Sequence, residues 1–245
     1  MVRDLCELSG MLLWLLTYLF IIEQCYREKT YGLPMVAICM NVTWEFYLAF
    51  VCPQTQACLA GAADCLCPRG RGLVLWIERA WFLVDLVIVW QLLRYGRRVQ
   101  VIPEIKRFFY PIAATLFALA FTAHATFIPF HHDRDGFQDA WFVNITMSAL
   151  FVLLALERRD SRGLSYPAAW TRWLGNALLA ISLVLGRTTA FGVRDSYAFL
   201  YFLFVTVFLL DSVYVALLSA RRRSQRVSAM ATIAGTKIPG ESSSA

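Results

Sequence analysis

Seven long apolar runs, separated by mostly short polar connections, constrain this chain more than any other feature. They fall at about Ser9–Glu23, Leu33–Cys52, Leu73–Leu93, Pro111–Phe130, Gln138–Leu156, Trp170–Leu185 and Tyr197–Ala220. An apolar run of about 18 residues or more reads as a helix that crosses a bilayer, because about 20 residues span its hydrocarbon core. At 59% hydrophobic and 16% charged over 245 residues, the chain has no stretch left for a soluble domain. The expectation is an all-α polytopic membrane protein, a single seven-helix bundle over residues 1–223. Residues 224–245 are Ser-, Gly- and Ala-rich without apolar periodicity and are expected to be a disordered tail.

The basic residues give the bundle a direction. Arg3, Arg69, Arg71, Arg134, Arg187 and Arg194 fall on one side, and 16 Lys and Arg on the other, with Arg79 set aside inside a run. The heavier side includes the connection Arg158 to Arg172 and the cluster Arg221–Arg223. Cytosolic loops carry the excess of Lys and Arg, so the N-terminus is predicted outside or lumenal and the C-terminus cytosolic. The net charge of +6 therefore follows topology and is no nucleic-acid signature. The first run has neither a basic leader nor a small-residue cleavage site, and reads as an uncleaved span.

Within these spans the polar residues stand out. Asn41 and Glu45, at i and i+4, share one helix face. Glu78, Trp81 and Asp85 share a face of the third helix, as do Trp141, Asn144 and Ser148 in the fifth. Asp211 has Phe204, Phe208 and Tyr214 at i−7, i−3 and i+3. His124 reads as a hydrogen-bonded structural residue, and the run His131 to Gly136 as a solvated turn, not a metal site. Cys58, Cys65 and Cys67, on the predicted lumenal side, read as disulfide partners, since no CxxC pair offers zinc a matched half-site. The connection from Cys52 to Cys67 is otherwise assigned no role.

An ionisable group inside a membrane span is functional by default. A carboxylic acid kept neutral in an apolar pocket donates a proton at neutral pH. Aromatic rings on the same faces stabilise cations by up to about 2 kcal/mol each when desolvated. Glu45, Asp85 and Asp211 thus suit either chemistry that begins with protonation and runs through carbocations, or proton-coupled transport. The plainer alternative, hydrogen-bonded glue between helices, would fit one such acid better than three. No DDxxD cluster, phosphate loop, HExxH or GxSxG is present, so a diphosphate or nucleotide substrate is unsupported and neither a metal nor a cofactor is called for.

The run Lys29-Thr30-Tyr31-Gly32 followed by Asn41-x-x-Trp44-Glu45-Phe46 resembles the small integral-membrane terpene cyclases of fungal meroterpenoid and indole-diterpene pathways, which have bacterial relatives. Arg79-Ala80-Trp81 with Asp85, the stretch Gln138 to Ser148, and Leu210-Asp211-x-x-Tyr214 extend the resemblance in order over nearly the whole chain. It implies a non-redox, lyase- or isomerase-type enzyme without metal. Such an enzyme cyclises an epoxidised or plain prenyl chain on an aromatic, polyketide-derived or indole head. It implies a pathway prenyltransferase and a flavin monooxygenase acting upstream, and residence in the endoplasmic reticulum of a fungus or the plasma membrane of a bacterium. The family's two essential acids correspond to Glu45 and Asp211. Glu45 is preferred as donor because Asn41 is placed to hold it, and the two acids are expected to bracket one pocket. Asp85, Asn41, Trp44, Trp81, Trp141, Asn144, Phe204, Phe208 and Tyr214 are the supporting, cation-stabilising candidates. The competing reading is a proton-coupled carrier of a small lipophilic molecule, against which stands the lack of internal repeats.

Overall fold

The computed structural model describes residues 2–52, 73–131, 133, 136–158, 160–186 and 197–233. Its long helices are α1 (Val2–Glu28), α2 (Met35–Phe46), α3 (Leu73–Val99), α4 (Phe109–Phe130), α5 (Phe137–Glu157), α6 (Tyr166–Leu185) and α7 (Tyr197–Ile233). A five-residue helix, Pro103–Arg107, joins α3 to α4. Hydrocarbon cannot hydrogen-bond to a backbone, so apolar runs of this length satisfy their own amides as helices. Among the described residues, five helices are long and apolar enough to cross a membrane: α1, α4, α5, α6 and residues Ala198–Ser228 of α7. The apolar segment Met35–Val51 is shorter. The 27-residue α3 carries Glu78, Arg79 and Asp85 in its apolar stretch and is not among the five.

The bundle is apolar outside and polar at selected points within. Leu12, Leu16, Leu83, Phe202, Val205 and Leu209 are exposed, whereas Glu45, Asp85, His124, Asp139, Arg172 and Asp211 are buried. An exposed apolar surface of this extent is a surface for lipid. Helix α1 lies along α6, with α7 packed on α5 and α6, and α2 on α3 and α4. The α1–α6 crossing is close because glycines meet there. A Cβ added at Gly10 would come within 3.1 Å of the Gly175 carbonyl oxygen. Small residues permit such approach where helices must bury against each other in lipid.

Three local features differ from the sequence expectations. After Glu45 the helix widens into a π turn, Tyr47–Val51, a form that concentrates at functional sites. Helix α6 begins at Tyr166, four residues before the predicted start. Ser165 caps it by accepting from the Ala168 amide, and Pro167 lies in its first turn, where a missing N–H costs nothing. Helix α7 runs to Ile233, ten residues past the predicted end of the bundle. Gln225 donates to Ser161 Oγ, which ties this extension to the α5–α6 connection, and just before it Arg221 donates to the Ala155 and Asp160 carbonyls. The rest of the expected tail, like Cys58, Cys65 and Cys67, lies outside the described residues. Cys52 is disulfide-bonded, while Cys6, Cys25 and Cys39 are free thiols.

Candidate active site

The centre of the site is the amide of Asn41. Its Nδ2 lies 2.6 Å from Asp85 Oδ2, 2.7 Å from Tyr18 Oη and 3.2 Å from Glu45 Oε1. Tyr18 Oη donates in turn to Glu45 Oε1 at 3.3 Å. Helical spacing of four places Asn41 beside Glu45 on α2. Helix α1 supplies Tyr18 and α3 supplies Asp85. All four side chains are buried. One amide thus stands between two buried carboxyls, one from α2 and one from α3. The sequence brought Asn41, Glu45 and Asp85 forward. It did not single out Tyr18, whose signal was its i, i+4 spacing with Trp14.

A cavity of about 100 Å³ opens beside this cluster, several times the space one buried water occupies on the same measure. Trp14, Tyr18, Trp44, Trp81 and Trp141 wall it, with Asn41, Glu45, Glu78 and Asn144 among its polar members. Glu7 near the start of α1 and Ser182 near the end of α6 line it as well. Among the described residues, three buried polar atoms of this lining have no hydrogen-bond partner: Glu45 Oε2, Trp44 Nε1 and Asn144 Oδ1. A buried polar atom without a partner costs about 1–3 kcal/mol. An acid oxygen, an indole N–H and an amide carbonyl left unpaired around one aromatic cavity form a receptor for a largely apolar ligand with a few polar groups.

Asp211 is placed elsewhere. It does not line the cavity, and its two oxygens are both engaged. Arg172 Nη1 donates to Oδ1 in a buried ion pair, and Asn176 Nδ2 donates to Oδ2 at 2.8 Å. Arg172 also donates to Ser148 Oγ at 2.7 Å. Arg172 falls two residues into the predicted run that starts at Trp170, at the end facing the more basic side. The Ser165-Tyr166-Pro167 capping signal is what places it inside α6, and the tally of basic residues on the heavier side falls accordingly. Phe204, Phe208 and Tyr214 do not line the cavity either. Phe204 packs on Trp141 at 4.4 Å, Phe208 on Trp173 at 5.3 Å and Tyr214 on Phe151 at 5.1 Å.

His124 is held at both ring nitrogens, Nδ1 by Asp139 Oδ2 at 2.6 Å and Nε2 by the Met40 carbonyl at 3.0 Å. It therefore clamps α4 and α5 to the backbone residue that precedes Asn41. Asp133 departs from the expected solvated turn. It is buried and accepts from the Asp139 amide at 2.9 Å, capping the start of α5. Burial pushes its carboxyl up to about 6. Among the described residues no three His, Cys, Asp or Glu side chains gather as metal ligands would.

Residues 1–224 match the family of Pyr4-like transmembrane terpene cyclases. The chain belongs to that family. It is 26% identical over 186 residues to the Pyr4-family terpene cyclase mfmH of Annulohypoxylon moriforme, covering 75% of this chain and 70% of that protein. It is 24% identical over 235 residues to the terpene cyclase pyr4 of Aspergillus fumigatus, covering 91% and 88%. To the terpene cyclase dpasB of Apiospora sacchari it is 27% identical over 233 residues, covering 92% and 88%. No solved protein structure matches the chain. Membership of a transmembrane cyclase family accords with the apolar exterior.

Proposed function

We propose that this membrane protein cyclises a prenyl chain attached to an aromatic, polyketide-derived or indole head, and that Glu45 starts the reaction. What carries the reading is Glu45 Oε2, a buried and unpartnered carboxyl oxygen on a cavity walled by four indoles and a phenol. The proton passes from the Glu45 carboxyl to the oxygen of a terminal epoxide, or to the terminal alkene carbon of an unepoxidised chain. The C–O bond opens, or the alkene becomes a tertiary cation, and the chain's own double bonds attack in turn. The cavity's rings stabilise each cation in a space that excludes water. The last cation gives up a proton to the Glu45–Asp85 pair, left one proton short by the opening step, and the closing alkene forms, so product and substrate are isomers and no redox partner is consumed. Asn41 and Tyr18 aim the Glu45 carboxyl, and Asp85, sharing the Asn41 amide, is the group from which its proton is restored. Neither metal nor cofactor has a part in this scheme. A prenyltransferase and, for an epoxide, a flavin monooxygenase supply the substrate.

The same proposal completes the topology: seven spans, α2 and α3 included, with the N-terminus lumenal and the C-terminus cytosolic. The disulfide at Cys52, beside the α2–α3 connection, supports an oxidising compartment on that side. The membrane is the endoplasmic reticulum if the source is a fungus, as for the relatives, and the plasma membrane if it is a bacterium. The test is expression in a host fed epoxidised and unepoxidised farnesyl and geranylgeranyl arenes, with products read by mass and retention. Wild-type protein should give an isomer of unchanged mass and altered retention. Glu45→Gln, inserted at normal levels, should reduce it by about a thousandfold or more. Unaltered ligand moved across the membrane by a pH gradient would instead establish the carrier reading.

A further inference from the structure

Asp211 presents a puzzle that the proposed function does not resolve. It is one of the deepest acids in the bundle, yet it faces no open space. Arg172 and Asn176 occupy its two oxygens. Asn176 does not end the chain of contacts. Its Oδ1 accepts from Trp14 Nε1 at 3.0 Å, and Trp14 is a wall of the cavity. Arg172 approaches the same indole, its guanidinium carbon 5.5 Å from the ring centroid. The ring that a carbocation would use therefore already has a cation beside it.

We propose that Asp211 is a positioning and charge-compensating residue for Trp14, exchanging no proton with the substrate. Through Asn176 it fixes the tilt of the indole. Through Arg172 it cancels a buried positive charge that would otherwise compete for the ring and repel the cationic intermediates. A carboxylate of this kind is as necessary as a catalytic one, since its loss leaves the guanidinium uncompensated in a medium where charge acts over long range. It differs in how the loss can be repaired. Removing the charge of Arg172 as well restores neutrality, whereas no second substitution restores a missing proton-transfer group.

The assignment rests on the cyclase reading and is tested in the same assay. Asp211→Asn alone should lower kcat by about a hundredfold, with Arg172→Gln alone also impaired. The double variant Arg172→Gln/Asp211→Asn keeps neutral hydrogen-bonding groups at both positions. It should regain about tenfold or more over Asp211→Asn, a coupling that independent sites do not show. Asn176→Leu, which leaves the ion pair standing, should lower kcat with little change in KM and release partly cyclised products. If the wild type cyclises, Glu45→Gln does not, and the inserted double variant stays at the level of Asp211→Asn, Asp211 is a proton-transfer residue and the inference is wrong. Wild-type rate and product profile in Asn176→Leu would overturn it equally, and decides the matter if the double variant does not insert. Failure of the cyclase reading looks different: no isomer from the wild type, or an isomer retained in Glu45→Gln.

Discussion

Asp133 shows how one side chain couples a helix end to proton concentration. Its carboxyl lies outside the spans, accepts from the first turn of α5 and is buried. Desolvation is the dominant influence and lifts the group from its ordinary 3.8 to about 6, against the opposing pull of backbone amides. The folded protein thus binds a proton that the unfolded chain releases between those values. The resulting stabilisation is complete below about pH 4 and is lost as pH rises through about 6. In Asp133→Asn the contribution disappears while the acceptor for the Asp139 amide is kept. The Tm of wild type minus that of the variant, in detergent, should therefore fall as pH is raised from 4 to 7. A difference that stays level over that range would rule this coupling out. The residue was misread in the sequence because its neighbours, His131 to Gly136, are uniformly polar. Only the fold shows that one of them turns inward to cap a helix.

At the scale of elements, the α1–α6 contact governs the cavity wall. Gly10 and Gly175 face each other there, and a Cβ at Gly175 would stand 3.2 Å from Trp14 Cδ1. Added volume at this crossing pushes the helices apart along the line on which Trp14 and Asn176 are hydrogen-bonded. Gly10→Leu should cost about 1–3 kcal/mol, seen as a Tm lower by several degrees. It should reduce turnover more than that loss of folded protein explains. Leu12→Phe, exposed on the same helix, is the control that should change neither. Equal effects of the two would show that the crossing has no special bearing on Trp14. The helices themselves were legible, because apolar length is a one-dimensional property. Their ends were less so. The start of α6 lay in a capping signal, Ser165 with Pro167, that apolar length does not report. The π turn after Glu45 left no signal that apolar periodicity could carry.

For the whole molecule, the proposed orientation has its own measurement. A glycosylation sequon engineered between residues 54 and 72 should be modified in microsomes, and one in the α5–α6 connection should not. The opposite pattern would invert the topology. How much of the site was legible follows from the range of the forces involved. Contacts within one helix, such as Asn41 with Glu45, are fixed by spacing and were readable. Contacts between helices, such as Tyr18 with Glu45 or Arg172 with Asp211, depend on which faces meet. An arginine near a helix end looks like any member of the basic belt between helices until its partner is known.

The same pairs bear on how the chain enters the membrane. After α1, the proposed topology resolves into three hairpins with lumenal tips: α2–α3, α4–α5 and α6–α7. The second brings in His124 with Asp139. His124 Nδ1 stands 2.6 Å from the Asp139 carboxyl, base against acid. The third brings in Arg172 with Asp211, an ion pair neutral in sum. Each of these hairpins can leave the translocon with its charges already matched. The first cannot, since it carries Glu45 toward Asp85, acid toward acid, with only the Asn41 amide between them. The hairpin least suited to entering lipid alone is the one that holds the proposed proton donor, and α1, inserted first, is already there to meet it with Tyr18.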